Sequence, residues 1–373
     1  MRVERLTLTG FRSYRHLEIT FPAGPQVIVG RNAAGKTNLL EAIVVLAAGH
    51  SHRTTTDVDL IGWDADFARL EATVSSDDRG VDTVELVLAR PGVGGSRKRV
   101  RVNGVPRRPT TLAATLRAVL FAPEDMLLVV GSPSGRRAVL DTLVVQYDPE
   151  GAAVLATYAR ALQQRNNLLR SIRDGTAAPD ELTYWSDVVI RDGGRIVAWR
   201  LEAMNALAGP LEAAHGEIAP GDGRLTLRYL TNAPLAEGED PIAALGRRLM
   251  ETAEKELWNG TTLVGPHRDD LAFELDGRDL SGFASRGQQR TAILALKLAQ
   301  LELLARRDGR PPLLLLDDVF SELDPERRAH LVRRIGELPQ AFVTTTTLDD
   351  LDPRLVAAST PWRVEPGRLE PAR

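Results

Sequence analysis

The chain contains no cysteine. This absence excludes a disulfide scaffold, a thiolate metal site and a cysteine nucleophile. Lysine is also scarce, since only four of the 47 basic residues are lysines: Lys36, Lys98, Lys255 and Lys297. Arginine is the default basic residue, so each lysine marks a position where a compact ammonium could be needed. A formal net charge of −3 excludes a bulk polycation of the histone kind.

Long hydrophobic runs are missing as well. The longest apolar candidate, Ile43 to Ala48, is far too short to span a membrane. The first eleven residues alternate apolar and polar side chains and lack the apolar core of a signal peptide. We therefore expect a cytoplasmic protein. With 373 residues, 43% of them hydrophobic, the chain can bury a sizeable core and form more than one domain.

The pattern of apolar residues predicts an α/β protein with a helical insert. Strand-like runs of apolar and β-branched residues predict strands at Val3–Leu8, Leu17–Phe21, Gln26–Val29, Ala68–Val74 and Val84–Leu88. Residues 134–214 instead show helical spacing, interrupted at 174–179 by Asp-Gly and Pro, which predicts an αα-hairpin arm. Strands and helices alternate again from Leu263 onward, with buried strands predicted at Leu313–Leu316 and Ala341–Thr344.

The most specific motif is GRNAAGKT at residues 30–37, a full match to GxxxxGK[ST]. An apolar strand precedes it and a helical run, Asn38 to Ala48, follows, which is the context that a phosphate-binding loop requires. Backbone N–H groups of such a loop and the helix N-terminus converge on phosphate oxygens. Lys36 adds a point charge, and the Thr37 hydroxyl is suited to binding Mg²⁺.

Two further elements point to nucleotide chemistry. Four leucines followed by Asp317 and Asp318 predict a buried strand that delivers carboxylates to its C-terminal end, where α/β sheets bind ligands. Asp317 is suited to holding Mg²⁺, directly or through water, and Asp318 to orienting or deprotonating the attacking water. The turn SRGQQ, Ser285 to Gln289, precedes a helical run and offers a second phosphate cradle. Since one nucleotide needs only one such cradle, a head-to-tail dimer is the economical explanation; the alternative is a simple helix cap.

These motifs together resemble the ABC-type ATPase heads of the SMC-like DNA repair proteins and, more narrowly, the RecF family of bacterial recombination mediators. The resemblance extends over almost the whole chain and includes five further segments: LTGFRSY at 8–14, NLLEAI at 38–43, FAPED at 121–125, LVGPHRDD at 263–270 and SELD at 321–324. It implies an ATPase head split between residues 1–133 and 256–373, with a mainly helical arm inserted at 134–255.

The resemblance also implies a role for each site residue. The expected nucleotide-binding residues are Gly30, Arg31, Asn32, Ala33, Ala34, Gly35, Lys36, Thr37, Asn38, Arg12 and Glu124; the catalytic ones are Lys36, Asp317, Asp318 and Thr345. Ser285, Arg286, Gly287, Gln288 and Gln289 would act in trans as the signature motif, and Ser321 and Asp324 in communication across the dimer. Thr37 and Asp317 would hold the metal. Arg286 departs from the glycine that ABC proteins carry there.

The function implied by the resemblance is a weak, DNA-stimulated ATPase of recombinational DNA repair. ATP and Mg²⁺ would close two heads into a homodimeric clamp on double-stranded or gapped DNA, and RecR, RecO and RecA would be its partners. Thr345 in place of a histidine and Asp318 in place of a glutamate predict slow hydrolysis. Two rival functions are a transporter-type ATPase subunit and an SMC-type structural chromosome protein, although the insert of about 80 helical residues is short for a coiled coil.

Basic residues outside the motifs leave two interpretations open. Arg97, Lys98, Arg99, Arg101, Arg107 and Arg108 crowd a hairpin predicted around Asn103-Gly104. They either contact DNA phosphates or form a charged sheet edge that discourages aggregation. For the arginines near the arm, Arg165 among them, a solvated helix face is the favoured interpretation. A metal site at His267 is disfavoured, because the chain offers no cysteine ligand and no second histidine clusters with His267 in the sequence.

Overall fold

The structure is a computed structural model that describes residues 1–76, 80–92, 97–148 and 150–372. Its contacts divide the chain into two compact units. The first unit comprises residues 1–125, 213–222 and 293–373, and the second comprises residues 126–212 and 223–292. The domain boundaries at 134 and 255 stay a prediction.

The elements alternate between strands and helices, with a long helical stretch in the middle of the chain. In chain order they are β1 Arg2–Phe11, β2 Tyr14–Thr20, β3 Gly24–Val29, α1 Lys36–Ala48, β4 Phe67–Ser76, β5 Gly80–Ala89, β6 Lys98–Val102, β7 Val105–Arg107, β8 Ala118–Phe121, α2 Leu127–Val130, α3 Pro133–Tyr147, α4 Gly151–Arg173, α5 Leu182–Ile218, β9 Leu225–Leu230, α6 Pro241–Glu251, α7 Ala253–Asn259, β10 Asp270–Leu275, β11 Arg278–Asp279, α8 Leu280–Phe283, α9 Arg286–Asp308, β12 Leu313–Asp317, α10 Pro325–Gly336, β13 Gln340–Thr345, α11 Pro353–Ala358, β14 Thr360–Glu365 and β15 Arg368–Pro371.

The first unit contains two six-stranded sheets. One is antiparallel, with strand order β2-β1-β4-β5-β6-β7. The other has the order β15-β14-β3-β13-β12-β8, and all of its neighbours are parallel except β15 against β14. Parallel strands are buried on both faces, which explains why β12 and β13 consist almost entirely of buried residues.

Helix α1 packs in one hydrophobic core with residues of both sheets. Leu39, Leu40, Ile43 and Leu46 are fully buried, so apolar side chains surround the helix rather than form one stripe. This burial on several faces fixes the helix and therefore the loop that precedes it. Glu41 is also fully buried in this environment and requires charged partners.

The second unit contains the helices α2 to α4, most of α5, α6 to α8 and the beginning of α9, together with the antiparallel sheet β11-β10-β9. Helices α4 and α5 are separated by residues 174–181, which confirms the predicted break in the helical run. A cluster of buried residues, among them Val154, Tyr158, Val189 and Ile196, forms the core between these two helices.

The prediction that Arg165 lies on a solvated face is wrong. Its side chain is 4% exposed and pairs with Glu256 at 2.7 Å, while its Nη1 donates to the Thr262 hydroxyl at 2.8 Å. Burying a guanidinium is tolerated because its partners are buried beside it. Those partners lie far along the chain, so helical spacing alone could not reveal them.

Most predicted strands are present with bounds within a few residues, and the Asn103-Gly104 hairpin is confirmed. Val102 pairs with Val105, and both turn residues have positive φ, as a two-residue hairpin requires. Within the described residues, none of the helices combines the length and the apolar character that crossing a membrane demands.

Candidate nucleotide-binding site

Four parallel strands of the first unit end at one edge of their sheet. The register places Phe121 beside Leu316, Asp317 beside Thr344, and Thr345 beside Val29. The segments that follow β3, β8, β12 and β13 therefore emerge together, and ligands of open α/β sheets bind at this edge. The structure thus brings the predicted loop 30–37, the carboxylates and the segment 121–125 to one place.

The loop before α1 needs glycine at two positions. A Cβ atom on Gly30 would lie 2.7 Å from the Val364 carbonyl oxygen, which is closer than such atoms approach. Gly35 has φ +112 and leads directly into α1, a conformation that other residues rarely adopt. The Tyr14 hydroxyl donates to the Gly35 carbonyl at 3.0 Å and fixes the end of the loop. Arg31, Asn32 and Ala33 are exposed and Ala34 is buried.

Lys36 is the first residue of α1 and is 7% exposed. Its Nζ donates to the Gly30 carbonyl at 2.6 Å and to the Arg31 carbonyl at 3.2 Å. Burial lowers the pKa of Lys36, and the carboxylates of Asp318 and Asp317 act in the opposite direction. The Lys36 ammonium therefore contacts the backbone at the start of the loop and interacts electrostatically with Asp317 and Asp318.

Thr37, Asp317 and Thr344 form one hydrogen-bonded chain. The Thr37 hydroxyl donates to Asp317 Oδ2 at 2.7 Å, and the Thr344 hydroxyl donates to Asp317 Oδ1 at 2.6 Å. Each oxygen of this buried carboxylate thus has its own hydroxyl partner. A hydroxyl and a carboxylate in contact are the hard oxygen donors that Mg²⁺ prefers, so the residues present fit this ion.

Asp318 adopts a left-handed backbone conformation, with φ 53. Its N–H donates to the Thr344 hydroxyl at 3.0 Å, and its carbonyl accepts from the Ser321 hydroxyl at 3.0 Å. Aspartate tolerates positive φ better than most residues. The backbone of Asp318 is consequently held by hydrogen bonds at both its N–H and its carbonyl.

Arg12 lies in a buried ion-pair network with α1. Its guanidinium contacts both oxygens of Glu41, at 2.9 and 2.7 Å, and Ser51 and Arg53 also donate to that carboxylate. Burial opposes ionisation of Glu41, but the hydrogen bonds from Arg12 and Ser51 and the neighbouring positive charges outweigh it and lower its pKa. Asn38 joins the same region, because its amide donates to the Ser13 hydroxyl at 3.0 Å. A direct role of Arg12 and Asn38 toward nucleotide stays a prediction.

The segment after β8 is held by Asp125. One oxygen of Asp125 accepts from the Ala122 N–H at 2.8 Å, and the other accepts from Lys297 Nζ at 2.7 Å. Glu124 is exposed in the same turn. The predicted nucleotide-binding residue is therefore presented on a turn whose backbone is fixed by its neighbour.

The remaining predicted residues of the first unit lie close to the carboxylate strand. The hydroxyl of the buried Thr345 donates to the Thr347 carbonyl at 2.8 Å, while the Thr345 carbonyl accepts from the Gly30 N–H at 3.2 Å. The carboxylate of Asp324 caps α10 by accepting from the Arg327 N–H at 2.9 Å. The catalytic role of Thr345 and the dimer role of Ser321 and Asp324 stay predictions.

The turn at Ser285 belongs to the second unit. The Ser285 hydroxyl accepts from the Gln288 N–H at 3.2 Å, and the Gln288 side chain accepts from the Ser285 N–H at 3.0 Å. This reciprocal capping box starts α9. Arg286 is exposed, Gly287 lies in the first turn, and Gln289 donates to the Ala284 carbonyl. The structure thus shows the cap, and contact of this turn with a nucleotide stays a prediction.

Three parts of the site were missed by the sequence analysis. Thr344 contacts Asp317, but nothing in a run of four threonines distinguishes it from its neighbours. The Glu41 network and the Lys297–Asp125 ion pair join distant parts of the chain. The scarcity of lysine was a usable signal for Lys297, because arginine is the default in this chain.

The chain resembles known proteins over its whole length. The family model "RecF/RecN/SMC N terminal domain" matches residues 2–353. The DNA replication and repair protein RecF of Chloroflexus aurantiacus is 41% identical over 392 residues, which cover 99% of each chain. The Bacillus subtilis protein of the same name is 38% identical over 99% of this chain and 100% of its own length.

Solved structures agree with these relatives. The recombination mediator protein RecF–ATP of the RecFOR pathway superposes with a TM-score of 0.90 and 29% identity, covering 100% of this chain and 97% of the other. An Smc head bound to the C-terminal winged-helix domain of ScpA gives a TM-score of 0.55 at 16% identity, covering 100% and 98%, and shares the fold alone. The predicted ABC-type ATPase head is therefore confirmed, and the chain belongs to the RecF family of DNA replication and repair proteins.

Proposed function

We propose that this chain binds ATP at the edge of its parallel sheet and uses ATP-dependent dimerisation to hold DNA during recombinational repair. The observation that carries the proposal is the contact of Thr37 with Asp317, which joins the phosphate-binding loop to the carboxylate strand at 2.7 Å. Loop N–H groups and Lys36 would bind the phosphates. Relatives in this family include a RecF structure with ATP, which supports ATP as the nucleotide.

Mg²⁺ is the proposed metal. Thr37 and Asp317 would hold it, and bound there it would neutralise charge on the phosphate oxygens. Asp318 would orient or deprotonate the attacking water, since it directly follows Asp317 and its backbone N–H is held by the Thr344 hydroxyl that also contacts Asp317. Asp318 stands in place of the glutamate usual in ABC-type heads and Thr345 in place of a histidine, and the Thr345 hydroxyl donates to the Thr347 carbonyl. We therefore expect slow hydrolysis.

The dimer is proposed because each chain carries one phosphate-binding loop and one signature turn, Ser285 to Gln289. Ser285, Gly287 and Gln288 of one copy would contact the ATP held by the second copy, and Arg286, Gln289, Ser321 and Asp324 would lie near that contact. Two composite sites would then close around two ATP molecules. A clamp of this kind would bind duplex or gapped DNA in the bacterial cytoplasm and at the nucleoid. RecR is the proposed direct partner, with RecO and RecA acting downstream.

The basic hairpin β6–β7 has two distinct faces. Arg99 and Arg101 alternate with the buried Val100, so they share the outer face, where they line a depression of about 360 Å³ with Phe67 and Arg69. Arg107 pairs with Val100 across the hairpin, so it lies on the same face as Val100 and opposite to Arg99 and Arg101. Lys98 contacts both oxygens of Asp57 at 3.0 Å. The outer face is the better proposed DNA contact, although Glu85 partly neutralises it.

Replacing Lys36 with arginine should keep the fold and weaken nucleotide binding by about tenfold or more, because hydrogen bonds to charged groups contribute roughly 1.5–3 kcal/mol. The planar guanidinium cannot reproduce the position of an ammonium that donates to Gly30 and Arg31. Calorimetric titration with ATP measures the affinity, and Lys255→Arg, at an exposed lysine, is the matched control. Unchanged ATP binding and dimerisation in Lys36→Arg would show that the phosphate cradle is wrongly assigned.

Replacing both Arg99 and Arg101 with serine should lower DNA affinity and reduce the slope of log affinity against log salt by up to about two, as expected for two lost phosphate contacts. The pair Arg107→Ser and Arg108→Ser removes the same charge at the end of the edge strand β7 and is the control. Fluorescence anisotropy with labelled duplex DNA, with ATP over a salt series, measures both quantities. If the Arg99/Arg101 variant and the unaltered protein show equal DNA affinity and equal salt slope, the basic hairpin β6–β7 does not contact DNA and is instead a charged sheet edge that discourages aggregation.

A further inference from the structure

Lys297 and Asp125 form the most buried lysine–carboxylate pair of the described ion pairs. Their charged atoms lie 2.7 Å apart, and the side chains are 8% and 14% exposed. A buried pair of this kind is costly to break, because either charge alone would lose its solvation without compensation. The contact therefore ties the segment after β8 firmly to helix α9.

Asp125 connects this pair to the nucleotide-binding edge. Its second carboxylate oxygen accepts from the Ala122 N–H at 2.8 Å, and its own N–H donates to the Ala122 carbonyl. Ala122 directly follows Phe121, whose strand partner Leu316 immediately precedes Asp317. One carboxylate thus fixes the turn that presents Glu124 and also accepts from Lys297.

Lys297 connects the same pair to the signature turn. It lies on α9, which runs without a break from Arg286 to Asp308 and begins directly after Ser285. Twelve residues of α-helix correspond to about 18 Å along the axis. Buried residues flank Lys297 in the helix, among them Leu294, Leu296 and Leu298, so the helix is anchored in a packed environment.

We propose that Lys297 is a positioning residue that links the segment 122–125 to the signature turn through helix α9. A change in the turn at Glu124 on ATP binding moves Asp125, and the ion pair passes that displacement to the helix that carries Ser285. The compact ammonium suits this role, since it donates to one carboxylate oxygen and leaves the other for Ala122. This inference rests on the ATP-dependent dimer proposed above.

The test separates binding from dimerisation. Lys297→Met should leave the ATP affinity of the monomer within about twofold while raising the dimer dissociation constant at least about tenfold, a difference that corresponds to 1.4 kcal/mol. Asp125→Asn retains an oxygen for the Ala122 N–H and should give the same result. The double variant should be no worse than either single variant, because both remove one interaction. Lys297→Arg keeps the charge and should recover part of the dimerisation.

Lys255→Met is the matched control, because it removes a lysine that is exposed and has no proposed role in binding nucleotide or DNA. The control should dimerise like the unaltered protein. Dimerisation of Lys297→Met equal to that of the control would overturn the inference and leave the proposed function intact. An equal loss of monomer ATP affinity and dimerisation would also overturn it, in favour of a local binding role. Should Lys297→Met not fold, Asp125→Asn carries the same test. Failure of the unaltered protein to dimerise with ATP would remove the proposed function and this inference together.

Discussion

Asp318→Asn should lower ATP turnover by about a hundredfold or more, the usual contribution of a positioned general base, while ATP binding is retained. Asparagine has nearly the same volume and tolerates the positive φ of this position, so the turn held by Thr344 and Ser321 should persist. Its amide cannot accept a proton from water. Because ATP then survives in the site, the dimer should last longer than that of the unaltered protein.

Two measurements on Asp318→Asn distinguish this mechanism from a structural defect. Phosphate release under saturating ATP reports turnover, and sedimentation velocity after ATP addition reports the lifetime of the dimer. Asp349→Asn removes the same charge from the exposed segment after β13 and should change neither quantity. If the turnover of Asp318→Asn lies within about threefold of the control, another residue is the general base, since a positioned base raises the rate at least about a hundredfold.

Ser285→Arg should abolish ATP-driven dimerisation while the monomer still binds ATP. The large cation would fill the space where the second copy brings its nucleotide, and a steric block at a composite site raises the dissociation constant by about a hundredfold or more. Monomer binding is spared because the proposed role of Ser285 is in trans. Calorimetry at low protein concentration and sedimentation at high concentration measure the two quantities separately.

The cap formed by Ser285 requires its own control. Its hydroxyl accepts from the Gln288 N–H, and losing an N-cap costs about 1 kcal/mol of stability. Ser285→Ala loses the same cap and adds no bulk, so comparison with Ser285→Arg isolates the steric block. Loss of ATP binding by the Ser285→Arg monomer, with Ser285→Ala normal, would place the turn in cis and contradict the dimer model.

Local patterns were sufficient to predict the parts of the site that lie next to one another in sequence. Gly30 to Thr37 is such a part, because glycines, lysine and threonine must stand at fixed spacing between a strand and a helix. Asp317 and Asp318 are another, since four leucines can only be a buried segment and the acids mark its end. The Asn103-Gly104 turn follows from the positive φ values that a tight hairpin demands.

Contacts between distant residues could not be predicted in this way. Lys297 and Asp125 are separated by 172 residues and Arg12 and Glu41 by 29, so their pairing depends on how sheets and helices pack. The interpretation of Arg165 failed for the same reason: its partner Thr262 lies 97 residues away and turns an apparent surface arginine inward. Thr344 was hidden among identical neighbours, because only the strand register decides which hydroxyl faces Asp317.

The proposed ATP-dependent dimerisation on DNA is best tested by sedimentation velocity of the unaltered protein, with and without ATP and in the presence of gapped or plain duplex DNA. We expect a monomer without nucleotide and a dimer with ATP and Mg²⁺. We also expect the dimer to co-sediment with DNA and to return to monomer once ATP has been hydrolysed. A protein that stays monomeric at saturating ATP, or that dimerises and binds DNA equally well without ATP, would contradict this proposal.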